Sequence, residues 1–219
     1  MFAYNNAVLP NGAWHNSGTA FQPGANIAQV AEIAFPYVLK LKPLEYRSGM
    51  DRFQVSDKKA VVRESNIKEI DNTCVGIVGN RFNPPQPRES LETLAGLVDY
   101  VDDTGVLVKG DVDIETAGTL DEGRMIFASC KIRSAPEEIV PGDLMDKHLI
   151  FATATDGTMP FTIKFVVTLP VCMNTVRAAL NEKRPSLKVK NTRNRADRIQ
   201  QGKRALGIGE SQFQRFKQV

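Results

Sequence analysis

The densest chemistry in the chain is cationic and gathers near its end. Lys183, Arg184, Lys188, Lys190, Arg193, Arg195, Arg198, Lys203 and Arg204 follow one another at short spacings, with Arg177 ahead of them. From Val171 to Val219 there are 12 Lys and Arg against 3 acidic residues, a balance of +9, whereas residues 1–170 carry 16 against 22, a balance of −6. The overall +3 therefore hides a local polycation. Such a run suits phosphates, because every phosphate neutralised releases counterions, and it can follow a backbone without reading bases. A solvated helix or a solubilising tail would have the same composition.

A second basic set is expected on strands. If Arg124, Ile126, Ala128, Cys130 and Ile132 form the core face of one strand, Phe127, Lys131 and Arg133 face outward. On the stretch Phe161 to Leu169, the alternation leaves Lys164 on the thinner side. Basic groups across adjacent strands with an aromatic for stacking suit sequence-neutral binding of a single strand. The alternative is an ordinary half-exposed sheet with Phe127 under a helix.

Other constellations carry less. Asp99, Asp102, Asp103, Asp111, Asp113 and Glu115 could hold Mg²⁺ for a nuclease only if the fold gathers them. Cys172, ahead of an expected helix, is the best candidate nucleophile, since a helix N-terminus lowers a thiol's pKa. The competing reading has Asn174 or Thr175 cap that helix and Cys172 pack in the core. Cys74, Cys130 and Cys172 lie far apart among small and β-branched residues and read as buried, reduced thiols. With only His15 and His148 besides, no paired spacing implies zinc. The glycines lack the Lys-Ser or Lys-Thr of a phosphate loop, and no catalytic residue or cofactor is implied.

The elements that must position these groups can be read from periodicity. Residues 1–25, rich in Asn, Gly and Pro, predict an irregular arm. Asn26 is placed to cap a helix carrying Ile27, Val30, Ala31 and Ala34. Strands are expected at Tyr37 to Leu44, ended by Pro43 and Arg47-Ser48-Gly49, then at Lys59 to Glu64 and Thr73 to Gly79. Ser90 is expected to cap a helix with Leu91, Leu94, Ala95, Val98 and Val101 on one face. Two hairpins follow: Asp113 to Leu120 with Arg124 to Arg133 across Asp121-Glu122-Gly123, and Lys147 to Ala154 with Phe161 to Leu169 across Thr155-Asp156-Gly157-Thr158. A helix over Met173 to Glu182 turns Val176, Ala179 and Leu180 inward, and weak helical periodicity covers Ala196 to Leu206. The whole predicts an α+β fold: an antiparallel, hairpin-rich sheet packed with helices at 26–182, the irregular arm before it, and a basic segment at 183–219. No basic-then-apolar leader and no run of 18 apolar residues occurs, so a cytoplasmic protein without a membrane span is expected.

Several segments together resemble the phage/plasmid-like protein family, found on bacteriophages, plasmids and integrated elements. They are Val62-Arg63; the stretch from Val78 to Gln86; Glu115 to Leu120 with Gly123-Arg124; Asp156-Gly157-Thr158; and Val171 to Thr175 leading into Ala178, Ala179 and Leu180. The resemblance covers roughly residues 26–216, in order. The sequence departs from the family's pattern at Pro170 and Pro87, and at Asn191, where a histidine is usual. At fold level the order of elements is also similar to the core of single-strand annealing proteins. The resulting expectation is a phage- or plasmid-derived DNA-binding protein of a bacterial host, preferring single strands, acting as an oligomer without cofactor. One rival is a non-enzymatic factor that binds a host or phage protein, as in counter-defence; a third reading is a metal-dependent nuclease.

Overall fold

The computed structural model of the protein describes residues 7–8, 19–20, 25–68, 72–95, 100–101, 107–108, 112–132, 137–140, 143–145, 148–166, 173–183 and 186–199. In chain order its elements begin with β1 (Ala7–Val8), β2 (Thr19–Ala20), α1 (Ile27–Ala34), β3 (Val38–Ser48), β4 (Asp51–Glu64), β5 (Cys74–Gly79) and α2 (Pro87–Ala95). Then come β6 (Tyr100–Val101), β7 (Leu107–Val108), β8 (Val112–Leu120), β9 (Met125–Ile132), β10 (Glu137–Val140) and β11 (Asp143–Met145). The series ends with β12 (His148–Ala154), β13 (Phe161–Val166), α3 (Met173–Asn181) and β14 (Ser186–Val189). A short helical stretch at 195–199 follows. Among the described residues no helix is long and apolar enough to cross a membrane.

Both expected hairpins are present. In the first, Leu120 pairs with Met125, and Asp121, Glu122 and Gly123 all take positive φ to make the turn. The second turns around Asp156, whose carboxylate accepts from the Thr158 amide at 2.9 Å. The two hairpins join through β9 and β12 into a seven-stranded sheet of order β14-β13-β12-β9-β8-β1-β2, antiparallel except for the short β1–β2 pair. A three-stranded sheet, β3-β4-β5, and the ribbons β6-β7 and β10-β11 complete the strands. The architecture is α+β, with antiparallel hairpin-rich sheets packed by helices.

The large sheet is covered on both faces, and this decides where the chemistry goes. On one face Ile126, Ala128, Cys130, Leu149, Phe151, Phe161 and Ile163 pack with α1, α2 and the base of the small sheet. On the other, Phe127, Ile150, Ala152 and Val166 pack under Val176 and Ala179 of α3. Every residue of β12 is buried, the pattern of a strand with apolar layers above and below. At the first helix the sequence works as read: Asn26 accepts from the Gln29 amide at 3.0 Å, and the Gln29 side chain accepts from the Asn26 amide at 2.9 Å.

Other boundaries move. The second helix begins at Pro87 rather than Ser90, since proline fits the first helical position. The Ser90 hydroxyl instead donates back to the Gln86 carbonyl at 2.8 Å. Gln86 itself bonds both the amide and the carbonyl of Leu39, at 3.0 and 2.8 Å. Val101 lies in β6, not on a helix, and Val98 is outside the described residues. Pro43 does not end β3. A register shift between Pro43 and Leu44 absorbs it, and the strand runs on to Ser48 opposite a fourteen-residue β4. The expected irregular arm contributes β1 and β2 to the edge of the large sheet.

Candidate nucleic-acid interface

The segment after α3 is built into the fold from its first residues. β14 pairs with β13 as the outermost strand of the large sheet, from Ser186↔Lys164 to Val189↔Phe161. The chain then crosses to the small sheet: Thr192 bridges Phe82, and the Asn83 amide donates to the Asn191 carbonyl at 2.9 Å. Val189 and Ile199 enter the main core. Sequence reading missed β14 because Leu187 and Val189 are its only apolar side chains, too few to show a period of two.

Six of the expected cations are exposed: Arg177 on α3, Lys183 just after it, Lys188 on β14, and Lys190, Arg193 and Arg198 in the stretch that follows β14. Between 173 and 199 the only acidic residues are Glu182 and Asp197. Backbone hydrogen bonds fix Lys188, and they hold residues 191–192, between Lys190 and Arg193, against residues 82–83, just beyond β5.

Three expected contact residues are buried instead. Phe127, 1% exposed, faces α3 within the second apolar cluster, because that helix covers the side of β9 taken as open. Lys164, 5% exposed, lies beneath the same helix and donates to the carbonyls of Leu180, at 2.7 Å, and Glu182. Its ammonium caps the C-terminus of α3, where the last carbonyls lack intrahelical donors and the helix dipole is negative. Arg195, 8% exposed, lies 3.5 Å from Glu89, donates to the Asn83 carbonyl at 3.3 Å and sits over the Phe161 ring at 6.0 Å. Burial lowers its pKa, and Glu89 offsets part of the effect. Lys131 is half-buried on β9, separated from β14 by two strands, roughly 14 Å away. Arg133 and Arg184 lie outside the described residues.

The remaining constellations resolve as follows. Asp99, Asp102, Asp103, Asp111 and Cys172 lie outside the described residues. Glu115, the extra residue of a bulge in β8, reaches the His148 Nδ1 at 2.7 Å, and among the described residues no group of three acidic, His or Cys side chains could hold a metal ion. Cys130 is buried, and burial, followed by the charge of Glu115, holds its thiol well above the usual range, so it is a poor nucleophile. Cys74 is exposed on β5, contrary to the expectation that it would be buried, because Val75 and Val78 take the inner positions. Asn191, at the position where a histidine was expected, is buried and donates to the Thr153 hydroxyl at 2.8 Å, a structural post between β12 and the C-terminal segment.

Sequence reading also missed the outer half of the β3–β4 hairpin, whose residues from Leu44 to Lys58 are exposed or half-buried on both faces. A signal was there: Tyr46-Arg47-Ser48 and Asp51-Arg52-Phe53 flank Gly49-Met50, and Gly49 at φ +62° supplies the first position of a two-residue hairpin loop.

The profile of DUF932, a domain of unknown function, matches residues 74–219, two thirds of the protein. The chain belongs to the DUF932 family. The DUF932 match runs from β5 through both hairpins and α3 to the basic segment, and leaves α1 and the β3–β4 hairpin ahead of it. No curated protein and no solved structure is significantly similar to the chain.

Proposed function

We propose that this DUF932 protein binds nucleic acid, with single-stranded DNA as its principal ligand, and serves as an oligomeric replication, recombination or strand-annealing accessory without cofactor. The observation that carries this reading is the run of exposed cations that begins on the edge strand, Lys188, Lys190, Arg193 and Arg198, preceded in sequence by Arg177 and Lys183, which makes a basic edge to the fold. A cationic segment anchored by strand pairing and by Val189 and Ile199 in the core offers phosphates a track at lower entropic cost than a loose tail. The resemblance to phage/plasmid-like proteins is consistent with a mobile-element role in a bacterial cytoplasm. If all six cations neutralise phosphates, the logarithm of the binding constant falls with log salt at a slope of about −4 on single strands.

Deleting the segment would strip β14 from the sheet, so the test uses substitutions. Fluorescence anisotropy with labelled oligo-dT and with a duplex is measured across a salt series for the intact chain and for the triple variant Lys190→Ala, Arg193→Ala, Arg198→Ala. The expected result is preference for the single strand and a slope shallower by about 2 in the variant. Absence of binding to either DNA at low salt sinks the proposal and turns the search to a protein partner.

A further inference from the structure

Beyond Pro43 the β3–β4 hairpin continues for five residue pairs, Leu44↔Val55 to Ser48↔Asp51, a projection of roughly 16 Å. Its two faces differ. On one, Tyr46 and Phe53 are direct cross-strand partners, stacked at 5.4 Å and 23°, yet 55% and 43% exposed. On the other, Arg47 and Arg52 stand directly opposite each other, both exposed. The loop carries Met50, fully exposed.

This arrangement costs the free protein stability. Like charges placed directly across two strands repel, and the ion pairs seen among the described residues involve neither arginine. An aromatic pair left half in water gives up about half of what burial would return. Both deficits are relieved by one kind of ligand, a flexible polyanion with flat apolar rings: phosphates neutralise the arginines and an unpaired base extends the aromatic stack. The arm is also tied to the basic edge. Lys58 pairs with Gly79, the Asn80 side chain donates to the Ser56 carbonyl at 2.9 Å, and Phe82, three residues beyond Gly79, bridges Thr192.

Resting on the nucleic-acid reading above, we infer that the β3–β4 arm is a second contact for the same single strand: Tyr46 and Phe53 stack on a base on one face, and Arg47 and Arg52 bind phosphates where the strand passes round the hairpin to the other. The basic edge supplies general electrostatic affinity, and the arm supplies the preference for unpaired bases.

The test uses the full chain, anisotropy with labelled oligo-dT, and an oligonucleotide containing 2-aminopurine, whose fluorescence falls on stacking. Tyr46→Ala with Phe53→Ala is expected to weaken single-strand binding by about 5- to 150-fold, to abolish the 2-aminopurine quench and to leave the salt slope unchanged. Arg47→Ala with Arg52→Ala is expected to make the slope shallower by about 1.4. Melting curves confirm that both variants fold: relief of the Arg47–Arg52 repulsion should hold or raise Tm, and loss of the Tyr46–Phe53 pair should cost no more than about 1 kcal/mol. If both double variants bind as the parent does while the Lys190, Arg193, Arg198 variant binds weakly, the arm is overturned and the basic edge stands. If light scattering shows that the aromatic variant changes the number of subunits with DNA affinity intact, the arm joins copies of the chain and the inference is again overturned. Failure of the unaltered chain to bind any DNA removes the nucleic-acid reading and the arm's role with it.

Discussion

Replacing Lys164 with methionine keeps the length and apolar stem of the side chain and removes only its ammonium group. In the folded protein Lys164 is 5% exposed and its ammonium donates to the carbonyls of Leu180 and Glu182. Hydrogen bonds from a charged donor contribute about 1.5–3 kcal/mol each, and a cation at a helix C-terminus adds roughly 0.3–1. Against this stands the cost of keeping an ammonium under α3, which the substitution relieves. The balance is a loss of about 2–3 kcal/mol, equivalent to roughly 4–12 °C in Tm for a chain of this size. Circular dichroism melts of the two proteins measure it directly. Amide exchange adds a local readout, since Glu182 and the last turn of α3 should lose protection first. A surface lysine that touched DNA would behave oppositely, changing stability by less than about 0.5 kcal/mol and flattening the salt slope by about 0.7. An unchanged melt with a flattened slope would refute the capping role.

Other perturbations follow from the same contacts. Gly123→Ala should cost at least about 1–2 kcal/mol from backbone strain, and a Cβ there would fall 1.0 Å from the Arg63 Nη2, so a melt within error of the parent would contradict the packing of Arg63 on that turn. The Tyr37 hydroxyl is buried without a hydrogen-bond partner among the described residues, so Tyr37→Phe should hold or raise Tm by up to the equivalent of about 1 kcal/mol; a clear drop would reveal a partner for the hydroxyl. Burial raises the pKa of both Tyr37 and Cys130, which means the unfolded chain loses these protons before the folded one does. Stability from this source is complete at neutral pH and declines as pH rises past the ordinary thiol and phenol values, roughly 8.5 and 10, which Tm measured from pH 7 to 11 should show, with a shallower decline in Tyr37→Phe. Truncation after Glu182 should give a destabilised protein with exposed apolar surface, read by dye binding, because Val189 and Ile199 leave the core; a truncated chain with the parental melt would return the segment to the status of a tail.

What could be read from the sequence was what is local. Both central hairpins, the capping of α1 by Asn26, and Val176 and Ala179 facing inward on α3 depend on turn residues and short periodicities. The failures share a cause, since which face of a strand is covered depends on elements distant in sequence. Alternation alone turns Phe127 outward, because Arg124, Ile126, Ala128, Cys130 and Ile132 make the better core face, but α3, about forty residues later, covers the other. The same helix turns Lys164 from an expected contact into a cap. Arg195 could not be separated from its basic neighbours by composition, because Glu89 and Asn83, which hold it, are over a hundred residues away.

The DUF932 match begins at Cys74, the first residue of β5, but β5 has its hydrogen-bonded partner in β4, which lies before the match. The main core likewise draws Val30, Ala31 and Ala34 from α1, Leu39 from β3 and Val61 from β4. A chain folded from the matched residues alone would leave β5 as a lone strand and uncover the α1 side of the large sheet. Arg63 strengthens the link, since its guanidinium stacks 4.8 Å from the Tyr37 ring and donates at 3.3 Å to the Glu122 carbonyl inside the β8–β9 turn. The cooperative unit is therefore larger than the matched region and includes the base of the β3–β4 hairpin. That division assigns the two halves of the hairpin different constraints. Its base, with Val61 and Arg63 buried, is held by the core, whereas its outer half touches little else among the described residues.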